Sequence, residues 1–535
     1  MEFRVAVSGA IANVSAFGDT DIFPLPLENR LFQDSPERMS RAVWDLHLRF
    51  EEMSVRESPD VLRSLVPVGP HGFRLASQLD PVWNAYYLAL ALCVAPAVER
   101  VRPPVSAECV FSYRHGLDLE TGRVFDTSVS WVAFVERTRR LCETHAFCVI
   151  ADITEFYHRV TVQRVADALS SLEVDGAIRE RLVAVLGLLG VEEHGLPVGG
   201  PASRILAELV LAEVDRAFTE GGLRYCRFVD DFRIFADSEE DARRFLLKAA
   251  GVLHGVGLSF QKTKTRVVST GELIEELQVA EMVEWAKGAE SADKLAAKPQ
   301  RLVLLQHDPY SELKVSNDIR VEEFAARPDA LAVIRREFIK RRLNVSLAKQ
   351  VLGVLNFLAA EGLAVAVETL LSDECLRGIS PVFSRALQLV TENVHRLSLA
   401  AKSGLVARIE ALMTKDAYVF QVELHCLQGL RLVRLALEDN PTFDIDLLVR
   451  LFQGASHALV RREVALLLAR LGQIPRVQNL FAACSTLNRW DARTVDLVRS
   501  EAMESVGEAK IGLDVEGFGG VWGQCLGSAG GENAR

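Results

Sequence analysis

The sequence predicts an α+β chain: a split βαβ sheet with its helices, followed by a long all-α region of paired helices. Three observations carry this. Between about residues 148 and 260, short apolar strand-like runs alternate with amphipathic helical stretches. Within that segment an acidic pair, Asp230-Asp231, sits at the apex of a hairpin-like run. From about Ser346 onward, helical periodicity recurs with short turns and strand signals are nearly absent.

The 535 residues are enough for roughly two to four domains. Hydrophobic residues make up 49% and charged residues 25%, a folded rather than a disordered composition. No apolar run is read as reaching the roughly 18 to 20 residues that crossing a bilayer requires. The start, Met1 to Asn13, holds one basic residue and no clear cleavage site, so no secretory signal is expected. Nine cysteines stand singly, at Cys93, Cys109, Cys142, Cys148, Cys226, Cys375, Cys426, Cys484 and Cys525. Without a CxxC pair neither a zinc site nor a disulfide framework is expected, and a reduced cytoplasm is the simplest location. The net charge of −11 argues against strong non-specific DNA binding, because phosphate contacts need clustered Lys and Arg.

In chain order, Phe23-Pro24-Leu25-Pro26-Leu27 reads as an extended lead into a helix through Ala42, Val43, Leu46 and Leu48. A second helix spans about 82–100 and is broken by Arg102-Pro103-Pro104 before a strand-like segment at 109–114. Residues 148–153 form a mostly apolar strand that carries Asp152 near its end, followed by an amphipathic helix at 162–172. The loop Gly195-Leu196-Pro197-Val198-Gly199-Gly200-Pro201 opens a helix with Ile205, Leu206, Leu209, Val210 and Phe218 at helical spacing. A hairpin at 225–235, a helix at 238–254 and a strand at 258–260 complete a β-α-β-β-α-β order with one extra helix. Helices then follow at 346–360, 363–372, 379–398, 401–415, 418–438, 443–455, 458–471, 475–486 and 490–504. Paired helices at this spacing predict a HEAT-like α-solenoid, with Val460 to Leu468 its most repeat-like stretch and a loose glycine-rich tail from about Gly517.

In a split βαβ sheet the end of the first strand lies beside the turn of the central hairpin, so Asp152, Asp230 and Asp231 converge on one edge. Adjacent carboxylates repel, and burying them costs several kcal/mol unless a cation compensates. Two magnesium ions roughly 4 Å apart supply that compensation and stabilise both oxygens of an in-line phosphoryl displacement. An Asp-Asp pair alone is more often a solvated turn. Here it is wedged between Phe228-Val229 and Phe232, with Asp152 at the matching position.

These residues resemble the reverse transcriptases. Phe228-Val229-Asp230-Asp231 looks like their aromatic-x-Asp-Asp box, and Ala151-Asp152-Ile153-Thr154-Glu155-Phe156-Tyr157 like their first aspartate motif. Leu196-Pro197-Val198-Gly199-Gly200-Pro201-Ala202-Ser203 is similar to their Leu-Pro-x-Gly motif. Leu258-Ser259-Phe260-Gln261-Lys262-Thr263-Lys264-Thr265 resembles the later lysine motif, and Phe111-Ser112-Tyr113-Arg114 the upstream fingers motif. The resemblance implies a fingers and palm fold, divided as 1–125 N-terminal and fingers, 126–275 palm, 276–345 thumb-like connector, 346–516 HEAT-like domain and 517–535 tail.

It also implies roles. Asp152, Asp230, Asp231 and the Ile153 carbonyl would bind two Mg2+ ions. Tyr157 would stack under the sugar and exclude a 2′-hydroxyl, and Arg114 would contact the triphosphate. Pro197, Gly199, Gly200 and Ser203 would line the nucleotide, and Lys262 or Lys264 would neutralise phosphate charge. Each also has a plainer reading: a core aromatic for Tyr157, a surface arginine for Arg114, a helix-entry turn for the glycines, a solvated strand end for the lysines. The run Leu196-Pro197-Val198-Gly199 with Ala202-Ser203-Arg204-Ile205-Leu206-Ala207-Glu208 resembles the abortive-infection and "unknown group" defence enzymes of bacteria. That resemblance implies deoxynucleoside triphosphates as substrates, a DNA product, and synthesis that is untemplated, protein-primed (Tyr310 and Tyr418 being the candidate hydroxyls) or guided by a noncoding RNA. No membrane partner is expected; a homo-oligomer through the helical region is a further expectation. The alternatives are a retron- or intron-like enzyme copying one cognate RNA, and a non-catalytic helical scaffold with a relic palm.

Overall fold

The computed structural model describes residues 1–24, 26–69, 71–281, 330–340, 343, 345–437, 442–484 and 487–504. The described strands are β1 Leu62–Pro67, β2 Phe73–Gln78, β3 His115–Asp118, β4 Arg123–Phe125, β5 Phe147–Asp152, β6 Arg224–Phe228, β7 Asp231–Ala236 and β8 Arg266–Ser269. They make two hairpins, β1-β2 and β3-β4, and one sheet in the order β6-β7-β5-β8. The chain divides into two compact units that do not follow chain order. One gathers the described residues of Met1–Asp21, Glu28–Val43 and Pro81–Asn317; the other gathers those of Ile22–Leu27, Trp44–Asp80 and Asp318–Arg535.

In the first unit β7 runs antiparallel to both β5 and β6, and β8 pairs antiparallel with the other side of β5. β5 and β6 are therefore parallel with β7 inserted between them, the split βαβ arrangement that the sequence predicts. Three helices of more than two turns separate β5 from β6: Val162–Ser170, Gly176–Leu188 and Pro201–Glu220. The sequence reading passes over Gly176–Leu188 because its apolar residues are spread around the helix rather than gathered in a stripe. Its start is nonetheless signalled by Asp175, whose carboxylate accepts the amides of Ala177 and Ile178.

The fourth strand lies later than predicted, at Arg266–Ser269 rather than 258–260. Helix Glu239–Gly255 ends through Gly257 at φ +64°, and the Leu258 amide still bonds back to the Leu253 carbonyl. The Gln261 carbonyl then takes the amides of Lys264 and Thr265, a turn that delays sheet pairing until Arg266. Phe260 keeps a single bridge to Ile153. The strand predicted at 109–114 is likewise one bridge, Val110 to Arg227. The Arg227 amide donates to Cys109 (2.8 Å) and the Phe111 amide to Arg227 (3.0 Å), covering the outer edge of β6.

Helix Pro81–Val101 corrects the expectation about apolar runs: by length and composition it is sufficient to cross a membrane. Asn84, Tyr86 and Tyr87 interrupt the strictly apolar run without adding charge. Here the helix is buried along nearly its whole length, packing against Phe3–Phe17 and Pro201–Glu220.

Among its described residues, the second unit has helices and no strands other than β1 and β2. Its helices include Val345–Gly353, Ala360–Leu370, Ser380–Asn393, Leu399–Thr414, Glu423–Ala436, Ile445–Gly454, Ala458–Arg470, Ile474–Ala482 and Arg489–Glu504. Val345–Gly353, Ser380–Asn393, Glu423–Ala436, Ala458–Arg470 and Arg489–Glu504 each pack against the next. One hairpin face, through Val66 and Ala76, joins Phe23, Val422 and Leu424 in a common core. Most of the thumb-like connector, Tyr310, Cys525 and the tail lie outside the described residues.

Candidate active site

Asp152 is the last residue of β5 and Asp231 the first of β7, and the two are direct cross-strand partners. Partners in an antiparallel pair project to the same face within about 5 Å of each other at Cα. Phe228 pairs with Asp231, so Val229 and Asp230 are the two residues of a tight hairpin turn. The Asp230 carbonyl accepts the Ile153 amide at 3.1 Å, which ties the turn to the chain just beyond Asp152. The three carboxylates thus come from two neighbouring strand ends, as the sequence predicts.

The turn is strained. Val229 has φ +54°, a left-handed conformation that a β-branched residue rarely adopts, at a cost of about 1–3 kcal/mol. Buried contacts hold it: Ser112 Oγ accepts the Val229 amide (3.0 Å), and Arg227 Nη1 donates to the Val229 carbonyl (3.1 Å). Phe228 packs between Tyr113, Trp131 and Phe134, and Phe232 between Phe218 and Phe260.

The edge is strongly acidic. Burial raises the Asp231 carboxyl above the ordinary range; Asp152 raises it further, against Arg233 and Lys264. Lys264 Nζ stands 2.9 Å from Asp152 Oδ2. Burial works to lower the Lys264 ammonium, but its hydrogen bond to Asp152 and the charges of Asp152, Asp231 and Asp230 outweigh it and hold the pKa above the usual lysine value. Among the described residues, no three His, Cys, Asp or Glu side chains form a ready-made metal cage. An open carboxylate edge of this kind suits magnesium, which keeps water and substrate phosphates in its shell.

The remaining predicted residues divide. Tyr157 is half-buried in the turn Phe156–Arg159 just after Ile153. Its carbonyl accepts the Leu196 amide at 2.9 Å, so the Leu-Pro-Val-Gly loop is bonded directly to the first aspartate motif. Pro197 is buried, Gly199 has φ +115°, and Gly200 precedes the helix that Pro201 begins. Lys262 is exposed. Two predicted residues are turned away from any ligand. Ser203 is 1% exposed and hydrogen-bonds the Tyr87 hydroxyl (3.2 Å), one helical turn below the loop. Arg114 is 3% exposed; its guanidinium pairs with Glu99 (3.0 Å) and donates to the Pro103 carbonyl (2.7 Å). A buried guanidinium with those partners is a structural group, and the structure does not bring it to the carboxylates.

Sequence reasoning missed Gly195 as a contact. A Cβ there would meet the His158 Cα and the Tyr157 carbonyl at 2.3 Å, and its φ is +71°. Its signal was the glycine at the head of the Leu-Pro-Val-Gly run. It also missed the contacts that Ser112 and Arg227 make with Val229, whose signals were polar residues inside apolar runs.

Residues 110–301 match the family model described as "Reverse transcriptase (RNA-dependent DNA polymerase)". No curated protein matches the chain in sequence. Among solved structures, apo telomerase from Candida tropicalis aligns over 87% of this chain and 72% of its own, at 10% identity and a TM-score of 0.29. Telomerase from Candida albicans, in complex with a fragment of telomeric RNA, aligns over 83% and 71%, at 10% identity and a TM-score of 0.26. The family match falls on the segment that holds the split βαβ sheet and its three aspartates, and by it the chain carries a reverse transcriptase domain and is a nucleotidyltransferase.

Proposed function

We propose that this chain adds deoxynucleotides to a growing DNA strand by two-magnesium phosphoryl transfer, as a reverse transcriptase in antiphage defence. The observation that carries the chemistry is the register pairing of Asp152 with Asp231 beside the Val229-Asp230 turn. Asp152, Asp230, Asp231 and the Ile153 carbonyl are the groups that would hold the metal. When bound, the ions supply a counter-charge for the triphosphate and lower the pKa of the attacking hydroxyl.

The chain's own residues set the geometry. Asp152 and Asp231 are held opposite each other by backbone pairing, so the sheet fixes the separation of their Cα atoms and leaves only two short side chains to orient. Tyr157, bonded through its carbonyl to Leu196, would pack against the sugar and exclude a 2′-hydroxyl. Lys264 balances the acidic edge and would meet phosphate charge. Arg114, buried and paired with Glu99, has no part in triphosphate binding in this reading.

The defence role is supported by the likeness of the Leu196 to Glu208 run to bacterial defence enzymes. The second unit is read as a HEAT-like solenoid because alternate helices stack on one another in series; such a surface fits a noncoding RNA or a second copy of the chain.

Purified protein is incubated with magnesium and each labelled deoxynucleotide, with and without nuclease, beside an Asp230→Ala/Asp231→Ala double variant. Incorporation that the double variant loses supports the reading, and its survival after RNA removal marks untemplated synthesis. Incorporation unchanged in the double variant, or absent under every condition, refutes it. A plaque assay with wild type and double variant tests the defence role separately.

A further inference from the structure

Beneath the turn lies a buried set of charged groups that the polymerase motifs do not explain. Arg227, on β6, is fully buried. Its Nε and Nη2 donate to the two Asp215 oxygens at 2.8 and 2.6 Å, and its Nη1 and Nη2 to the two Glu208 oxygens at 3.2 and 2.8 Å. Glu208 and Asp215 lie seven residues apart on helix Pro201–Glu220, hence on one face. Arg102 completes the set, donating to Glu208 Oε2 (2.8 Å) and to the Ser112 carbonyl (2.6 Å). Two guanidiniums thus meet two carboxylates away from water, and every contact is charge-assisted.

The set has an outlet. Ser112 Oγ donates to Glu208 Oε1 and accepts the Val229 amide (3.0 Å), while Arg227 Nη1 reaches the Val229 carbonyl (3.1 Å). Both polar groups of the one strained residue in the turn are therefore held by side chains that are themselves locked by buried ion pairs. A core filled for stability alone has no need of such groups, since buried ion pairs rarely improve on apolar packing. Their arrangement matches what a strained φ at a functional turn requires: surroundings that over-determine it.

We propose that Ser112 and Arg227 are positioning residues that force Val229 into its left-handed conformation and so set Asp230 and Asp231 against Asp152, with Glu208 and Asp215 holding Arg227 in place. This rests on reading the three aspartates as catalytic. It means that the upstream Phe111-Ser112-Tyr113-Arg114 motif acts on the aspartate turn from behind, and not on the nucleotide. Valine at 229 makes the turn dependent on the clamp. Glycine, which adopts φ > 0 without penalty, removes that dependence.

The test is a cycle of Ser112→Ala, Val229→Gly and the double variant, each read for kcat, for KM toward deoxynucleotide, for Mn2+ affinity by electron paramagnetic resonance and for Tm. Ser112→Ala is expected to lower kcat by about 100-fold, as a displacement of about 1 Å at a reacting centre does, with KM little changed and Mn2+ bound more weakly. In the Val229→Gly background the same change is expected to alter kcat and Mn2+ affinity by less than about five-fold. Equal losses in both backgrounds overturn the inference, as does full activity in Ser112→Ala. If Ser112→Ala does not fold, Ser112→Cys, nearly isosteric and a weak acceptor, takes its place in the cycle with the same outcomes. Asp230→Asn is run in parallel. If it keeps wild-type activity, the reading of the aspartates has failed; if it is inactive while Ser112→Ala is not, only the clamp has failed.

Discussion

Lys264 Nζ and Asp152 Oδ2 lie 2.9 Å apart, an ammonium and a carboxylate brought together from positions 112 residues apart in the chain. The Lys264 side chain is more than half exposed, so the pair is screened and contributes at most about 1 kcal/mol. On the proposed two-metal reading its importance is competition: an ammonium on Asp152 occupies an oxygen that a divalent cation would also need. Lys264→Met is therefore expected to tighten Mn2+ binding by about two- to five-fold, a range that follows from that energy. Titration followed by electron paramagnetic resonance reads it, and weaker binding in the variant counts against the competition.

On the proposed reading, Asp231 exchanges stability for function. Burial and the neighbouring Asp152 raise its carboxyl above the reference value of 3.8. A folded-state pKa above the unfolded one means that the contribution is present below about pH 3.8 and is lost as pH rises through the folded value. Above that folded value the carboxylate is a net cost to stability. Asp231→Asn is expected to melt higher than wild type at pH 7.5, with a smaller gain at pH 4, and to lose at least about 100-fold in incorporation. A lower Tm at pH 7.5 contradicts it.

Gly195 and Gly200 flank the Leu-Pro-Val-Gly loop and differ sharply. A methyl at Gly195 would lie 2.3 Å from backbone atoms of Tyr157 and His158, at φ +71°, whereas one at Gly200 would find Asp19 O at 3.5 Å and nothing nearer. Gly195→Ala is expected to cost about 2 kcal/mol or more, and to weaken discrimination between deoxy- and ribonucleotides because Tyr157 shifts. Gly200→Ala is expected to change Tm by no more than about 2 °C. Thermal melts and a deoxy-to-ribonucleotide incorporation ratio separate the two.

Asp19 is buried with its carboxylate accepting from Asn29 Nδ2 at 3.1 Å, and Glu28 nearby. Burial, reinforced by the Glu28 charge, pushes its pKa up to about 7 from 3.8, against the lowering effect of its hydrogen bonds. Its contribution is full below about pH 3.8 and disappears as pH rises through 7. Over that window the change is on the order of 4 kcal/mol. Asp19→Asn is expected to flatten the loss of stability between pH 4 and 7.5, seen as parallel urea midpoints; an unchanged slope refutes it.

How much of this was legible depended on the range of each interaction. The strand at Asp152, the Asp230-Asp231 hairpin and the helix after Pro201 announce themselves through local periodicity and turn chemistry, which neighbouring residues decide. Helix Gly176–Leu188 lacks a stripe, and β8 is displaced by a turn at Gln261 to Thr265 that periodicity does not reveal. The β1-β2 hairpin was missed because its apolar face is completed by Val422 and Leu424, far along the chain.

At the candidate site, the sequence by itself determined the acids and their convergence, because a split βαβ sheet places a strand end beside a hairpin turn whatever the side chains do. Only the tertiary structure decided the orientation of the other polar groups. Arg114 and Ser203 look like ligand-binding residues in one dimension and turn into the core in three, since Glu99 and Tyr87 are waiting there. Ser112 and Arg227 look ordinary and prove to hold the strained valine. A side chain's partner lies wherever the fold brings it, and the contacts from Ser112 and Arg227 to Glu208 span 96 and 19 residues, a distance at which local pattern carries no information about direction.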